Sequence, residues 1–296
     1  MSERSVVPEV TEASPTACCG DDCCGGSQRT VIAGETLPAG SDPRGLVREK
    51  YGAVAQGVST GCGCGCSAAD DSAALEALGY TQEQRASIPE GADMGLGCGN
   101  PLAHAGLLPG ETVLDLGSGG GIDCFLAARE VGPAGRVIGV DITPAMIERA
   151  RANRGRVNAA NVEFRLGEIE HLPVADASVD AIISNCVVNL SPEKPQVFRE
   201  ALRVLKPGGR LVVSDLVLTR ALDPAMRRNV DLYVGCVAGA ALEDEYLQLI
   251  REAGFADVRV VEERAYAAGM ANLQPGSPER EAFSAVVSIK VRATKA

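Results

Sequence analysis

Tryptophan is missing from this 296-residue chain, and phenylalanine and tyrosine together bring aromatics to only 3 %. So few rings leave little for nucleic-acid bases to stack on, and they argue against a large planar aromatic substrate. Positive charge is also in deficit: 28 Lys+Arg face 39 Asp+Glu, for a net charge of −11. Binding to a phosphate backbone needs a basic stripe, so nucleic acid is not an expected partner. No apolar run approaches the roughly 20 residues of a membrane-spanning helix. The N-terminus, M-S-E-R-S-V-V-P-E-V, lacks the basic and then apolar regions of a secretory leader. The expectation is a cytoplasmic protein without membrane contact. The only histidines are His104 and His171, which read as surface or helix-end residues. With no C-x-x-C pair and no histidine beside the cysteines, an ordinary zinc site has no support.

Cysteine, by contrast, is abundant, with 11 residues. A reducing compartment keeps thiols free, so these read as metal-binding or catalytic rather than as staples. Hydrophobic residues make up 46 % and charged residues 23 %, the balance of an ordinary globular protein. The length allows one large domain or two.

Residues 1–43 are rich in Pro, Gly, Ser and Thr without apolar periodicity, and read as a disordered arm carrying Cys18-Cys19 and Cys23-Cys24. Residues 44–99 form a helical, cysteine-rich segment: a helix near 43–52, the run G-C-G-C-G-C at 61–66, and a helix near 68–78. A compact domain follows over 100–222. T-V-L-D-L-G (112–117), R-V-I-G-V-D (136–141), N-V-E-F-R-L (161–166), V-D-A-I-I-S (179–184) and the end of K-P-G-G-R-L-V-V-S-D (206–215) are short apolar runs that suit buried parallel strands. Helical patterns at 121–131, 143–154 and 193–205 separate them, and Pro144 fits a first helical turn. Alternation of this kind predicts an α/β fold with a mostly parallel sheet and helices on both faces. Residues 223–296 add helices near 223–238 and 242–253 and strands near 257–263 and 284–292. They read as a C-terminal substrate-binding and lid region, with 264–283 as a loop of unassigned structure.

The run Asp115-Leu116-Gly117-Ser118-Gly119-Gly120-Gly121 ends the first strand and opens a helix. Glycines there let the backbone turn tightly and approach a ligand. Ile122 replaces the last glycine of the dinucleotide pattern, which weakens a nicotinamide reading. Asp141 ends the second strand about 20 residues on, where a carboxylate accepts hydrogen bonds from ribose hydroxyls. Cys186 follows the fourth strand directly, so topology alone puts it where ligands bind in open α/β sheets. Cys236 ends a helical run after the fifth strand, and Cys98 lies just before the domain. Thiolates are the nucleophilic, metal-ligating form of cysteine, and soft ligands choose soft acceptors. Cys124, in the middle of a helix, reads as a small buried hydrophobe.

The run D-x-G-x-G-x-G with Asp141 resembles the class I S-adenosylmethionine-dependent methyltransferases, a Rossmann-like fold. The resemblance sharpens over G-L-G-C-G-N-P, V-L-D-L-G-S-G-G-G-I-D-C-F-L-A-A, G-V-D-I-T-P-A-M-I, V-E-F-R-L-G-E-I-E-H-L-P and I-I-S-N-C-V-V-N-L-S-P-E-K, which are similar to the arsenite S-adenosylmethionine methyltransferases over residues 44–262. It implies that Asp115 lies at the methionine end of the cofactor, above the turn of Gly117, Ser118 and Gly119. Asp141 and Ile142 fall at the ribose, Glu168 and Ile169 at the adenine, and Asn185 on the border between cofactor and substrate. It implies that Cys186 and Cys236 bind trivalent arsenic, with Cys98 as a further required thiol. Tyr51-Gly52 then leads to a fourth thiol among Cys62, Cys64 and Cys66, where spacing favours Cys66.

On this resemblance the protein methylates arsenite, or its thiol conjugates, for detoxification. A thiol reductant, thioredoxin or glutathione, recycles its cysteines, and the expected state is a monomer. Two other readings stay open: a methyltransferase acting on another small metabolite, such as a quinone or sterol precursor, and a non-catalytic metalloid-binding protein. The cysteine set separates the first from arsenic chemistry, and the intact Asp115 loop with Asp141 argues against the second.

Overall fold

A computed structural model describes residues 35–38, 40–58, 75–266, 276 and 278–296, all within the unit Gly34–Ala296. The cysteines at 18, 19, 23, 24, 62, 64 and 66 lie outside the described residues, as do most of the arm and the first part of the helix expected at 68–78.

Seven strands form one sheet: β1 (Thr112–Leu116), β2 (Arg136–Asp141), β3 (Val162–Leu166), β4 (Val179–Asn185), β5 (Leu205–Leu218), β6 (Ala256–Ala265) and β7 (Val286–Thr294), in the order β3-β2-β1-β4-β5-β7-β6. The pairs β1·β2, β1·β4, β2·β3 and β4·β5 are parallel, whereas β7 runs antiparallel to both β5 and β6. This is the mostly parallel α/β sheet expected from the alternation of apolar runs and helical patterns.

Strand alternation puts successive side chains on opposite faces. On β1, Leu114 and Leu116 join the core shared with Phe198, Tyr246 and Ile250, while Val113 joins the core holding Phe125, Leu126 and Ile147. The helices therefore divide between the faces. To the Leu114 side belong α6 (Lys194–Val204) and α9 (Glu243–Glu252), and to the Val113 side belong α4 (Ile122–Val131) and α5 (Pro144–Val157). Among the described residues no helix is long and apolar enough to cross a membrane.

Ahead of the sheet come α1 (Arg44–Ala55), α2 (Gln82–Ser87) and α3 (Leu102–Ala105). The single helix expected at 223–238 is two short ones, α7 (Pro224–Arg227) and α8 (Val230–Val234). Asn229 causes the break by capping α8, its side chain accepting the Leu232 N–H. Part of the unassigned 264–283 segment is α10 (Pro278–Phe283). K-P-G-G does not precede β5 but interrupts it: pairing with β4 jumps from Leu205 to Arg210, and Gly208 in the bulge takes φ +77°.

One glycine contact fixes the segment that carries Cys236. A Cβ on Gly239 would lie 2.1 Å from the carbonyl oxygen of Asn189, and neither backbone can swing away as a side chain could. Gly239→Ala should therefore cost about 1–3 kcal/mol, read as a lower urea midpoint. An unchanged midpoint would show that the two segments are not clamped together.

Candidate active site

The carboxyl ends of β1, β2 and β4 open onto a cleft with roughly 1080 Å³ of empty space, its open mouth included. Arg44, Val47 and Tyr51 of α1 line one side of it. The loop after β1 forms the floor, with Gly117, Gly119 and Gly121 at φ +70°, +49° and +96°. Side chains have no room at Gly117, Gly120 or Gly121. A Cβ on Gly117 would come 2.5 Å from Val187, and one on Gly120 would come 2.7 Å from the Ala92 carbonyl.

Asp141 closes the loop. Its Oδ2 accepts the Gly119 N–H at 2.9 Å and its Oδ1 the Thr143 N–H at 2.8 Å. Each oxygen keeps a lone pair for a ligand hydroxyl. Burial raises the Asp141 carboxyl above its ordinary range despite these donors. Ser118 lines the cleft, but its buried hydroxyl packs toward Gly139 and has no hydrogen-bond partner.

Two more carboxylates line the cleft without a cation. Asp115 accepts the Cys124 thiol at 3.2 Å. Asp123 accepts Tyr80 Oη at 2.8 Å and Asn185 Nδ2 at 3.2 Å. Among the described residues neither pairs with Lys or Arg. Burial pushes Asp123 up to about 6. Burial, then the neighbouring Asp123 charge, pushes Asp115 well above the carboxylate range. Burial and Asp115 likewise raise the Cys124 thiol, which packs in the core as the small buried hydrophobe its mid-helix position implied. Two buried acids without a counter-ion are suited to a cationic ligand, whose charge offsets the cost of ionising them.

Asn185, at the end of β4, joins this acid pair to the thiols. Its Nδ2 lies 2.7 Å from the Gly99 carbonyl and 3.1 Å from Tyr80 Oη, while its Oδ1 accepts the Cys98 N–H at 3.1 Å. Cys98 is thereby held against the next residue in the chain, Cys186. The Cys236 thiol lies 3.0 Å from the Cys186 carbonyl oxygen. Cys186 lines the cleft, and Cys98 and Cys236 are buried behind it. Contact with Cys236, then Cys98, and burial raise the Cys186 thiol well above its ordinary value. Burial raises Cys98. Cys186 and Cys236 both adopt left-handed backbone, φ +56° and +62°, a strained conformation for any residue but glycine.

Beneath the thiols lies Asp215, fully buried on β5. Its Oδ1 accepts Asn189 Nδ2 at 2.8 Å and the Leu216 N–H at 3.0 Å, and its Oδ2 accepts Tyr246 Oη at 3.0 Å. Burial pushes it up to about 7. On the other side Tyr51 donates to the Val234 carbonyl at 3.0 Å, which pins the helix end before Cys236.

The structure thus brings together Asp115, Gly117, Ser118, Gly119, Asp141, Ile142, Ile169, Asn185 and Cys186 in one cleft, with Cys98 and Cys236 adjoining. Glu168 does not line it, because its carboxylate is paired with Arg44 (3.2 Å) and Arg48 (3.5 Å) of α1, and Glu170 takes its place on the wall. The fourth expected thiol, Cys66, lies outside the described residues. Tyr51, Tyr80, Asp123 and Asp215 were not singled out from the sequence. Asp215 carried a signal in V-V-S-D-L-V-L, a carboxylate inside an apolar strand, and Asp123 in lying two residues after the glycine run.

The family pattern described as a methyltransferase domain matches residues 107–254. The chain is 52% identical over 239 residues to an arsenite methyltransferase of Halobacterium salinarum, covering 76% of this chain and 61% of the relative. It is 47% identical over 165 residues to an arsenite methyltransferase of Aquipseudomonas alcaligenes, covering 53% and 48%. The chain therefore spans about half to three fifths of the length of these curated relatives. Among solved structures, an arsenic(III) S-adenosylmethionine methyltransferase from Chlamydomonas reinhardtii is 36% identical with a TM-score of 0.59, covering 75% of this chain and 73% of that one.

The acid pair gives a pH signature in the ligand-free protein. Burial raises Asp123 from 3.8 to about 6, so its contribution to stability is full below pH 3.8 and lost as pH rises through 6. Asp123→Asn should be more stable than the parent at pH 8, by up to about 3 kcal/mol, with the advantage fading at pH 4. Urea denaturation at pH 4, 6 and 8 measures this, and a pH-independent difference would refute the assignment.

Proposed function

This chain belongs to the arsenite S-adenosylmethionine methyltransferase family, and from that premise we propose that it methylates trivalent arsenic held by cysteine thiols. The observation that carries the reading is the meeting of Cys98, Cys186 and Cys236 at the edge of a glycine-floored cleft. A methyltransferase of another small metabolite has no use for three adjoining thiols there.

S-adenosylmethionine, when bound, supplies an electrophilic methyl on a cationic sulfur. The cleft residues fit such a group. Asp115 and Asp123 await a cation, Asp141 keeps lone pairs for the ribose, and Gly117 and Gly119 admit close approach of the backbone. Ile142 and Ile169 add apolar wall, Asn185 borders the substrate, and Glu168 acts through its hold on α1.

Contact with Cys236 and Cys98, then burial, keeps the Cys186 thiol protonated before substrate arrives, and burial does the same for Cys98. As each ligates arsenite, its proton leaves with an arsenic hydroxyl as water, so no separate base is required. Three thiolates hold arsenic in pyramidal geometry, which leaves its lone pair free to take up the methyl. Orientation carries much of the rate. Methylation formally oxidises arsenic to the pentavalent state. We assign its return to the trivalent state to cysteine thiols, Cys66 among them, which become a disulfide that thioredoxin or glutathione reduces. A reducing, cytoplasmic setting is the one that keeps such thiols available for this chemistry. The working unit in this reading is a monomer. Its arm (1–43) and N-terminal segment (44–99) precede a cofactor domain (100–222), and residues 223–296 close the arsenic site.

The test is to incubate the full chain with arsenite, S-adenosylmethionine and a thiol reductant, then to separate the arsenic species by chromatography with mass detection. Methylarsenicals are expected, and Cys186→Ser and Cys236→Ser should lower turnover by at least about 100-fold through lost positioning. Absence of any methylated arsenic would overturn the function. Normal turnover in either variant would overturn the site.

A further inference from the structure

The arsenic reading uses only sulfur. Yet the Cys98 thiol, the Cys186 thiol and an Asp215 carboxylate oxygen all lie within 4.8 Å of one another. We propose that Cys98, Cys186 and Asp215 form a two-sulfur, one-oxygen site for a divalent thiophilic cation, zinc or cadmium, which occupies the thiols in competition with arsenite. The competition rests on the function proposed above, but the cation site does not.

Zinc takes cysteine sulfur at about 2.3 Å and carboxylate oxygen at about 2.0–2.2 Å in tetrahedral array, which puts ligand atoms roughly 3.5–3.8 Å apart. The three atoms here need to close by only about 1 Å on that scale. The carboxylate is already held as a metal ligand should be, by donors outside the ligand set. Asn189 Nδ2 and the Leu216 N–H fix Oδ1, and Tyr246 Oη fixes Oδ2. Oδ2 accepts one of these bonds, so a lone pair remains. Cys236, in contact with the Cys186 thiol, or a water completes four-coordination.

Charge separates the two occupants. Trivalent arsenic needs three bonds, and three thiolates leave it neutral, so Asp215 adds nothing. A divalent cation on two thiolates wants a fourth ligand and tolerates an oxygen, so the carboxylate contributes directly. Forming the two metal–sulfur bonds breaks two S–H bonds, both protons pass to water, and no electron moves. The Asp115–Asp123 pair plays no part, and a cation at the thiols leaves the cofactor cleft open except at Cys186.

The test uses the full chain with the cysteines at 18, 19, 23, 24, 62, 64 and 66 changed to serine, kept reduced by a phosphine, with Cd2+ as the probe. Ultraviolet cadmium–thiolate absorption should report one cation per chain, displaced by arsenite. The cadmium-113 resonance should lie in the range of mixed sulfur and oxygen donors. Asp215→Asn should weaken Cd2+ binding by about tenfold or more and change arsenite affinity by less than about twofold. An all-sulfur cadmium resonance overturns the proposal in the parent protein, so it stays testable if the variant does not fold. Equal losses for Cd2+ and arsenite in Asp215→Asn, unchanged Cd2+ affinity, or simultaneous binding of both also overturn it. Should Cd2+ bind with mixed donors while arsenite does not bind at all, the cation site stands and the arsenic function falls.

Discussion

A single side-chain amide, that of Asn185, holds the site together. It stands at the end of β4, where the chain turns into Cys186, and it touches both the acid pair and the thiols. Its oxygen takes the Cys98 N–H, and its nitrogen faces the Gly99 carbonyl, Tyr80 and Asp123. An amide can donate and accept at once, which no apolar residue and no ionised carboxylate can do. Cys98 arrives on a segment with no helix or strand of its own, so its place is fixed by this amide, by Ser288 Oγ donating to its carbonyl at 2.8 Å, and by close backbone contacts. Gly99 shows how close they are: a Cβ there would lie 2.2 Å from Ser214 Oγ.

Around that amide the molecule keeps two electrostatic compartments. In the cleft, Asp115, Asp123 and Asp141 are buried with hydrogen-bond donors but no cation, so the ligand-free state stores the cost of desolvation. Below the thiols, Asp215 is surrounded by three donors. Nearby, Lys194 is half-buried, donating to the Asn189 and Ser191 carbonyls, and desolvation pulls its ammonium down to about 8. One compartment wants positive charge from outside, and the other supplies its own balance and is ready for a neutral or thiophilic guest. Reaction between two such guests needs them side by side, and Cys186 is the thiol that borders both spaces.

Most of the framework was legible in the sequence because it follows from periodicity. The five apolar runs from T-V-L-D-L to R-L-V-V-S-D became parallel strands, and the glycine run became the cleft floor with Asp141 above it. What escaped depended on long-range contact. The break between α7 and α8 came from a capping side chain, Asn229, that a helical pattern does not reveal. K-P-G-G reads as a turn, yet pairing on both sides absorbs it into β5 as a bulge. The pairing of Glu168, which the resemblance puts at the adenine, with arginines from α1, distant in sequence, is likewise invisible to any local pattern. Tyr51, Tyr80 and Asp215 gain their meaning only from partners far away in sequence, Val234, Asp123 and Tyr246, which no local window contains.

The left-handed backbone at Cys186 and Cys236 sets stability against chemistry. A non-glycine residue in that region costs on the order of 1 kcal/mol or more, so glycine would relax both positions. An optimisation that scores only the folded chain would favour replacing both sulfurs with hydrogen, so stability and the proposed chemistry pull in opposite directions at these two positions.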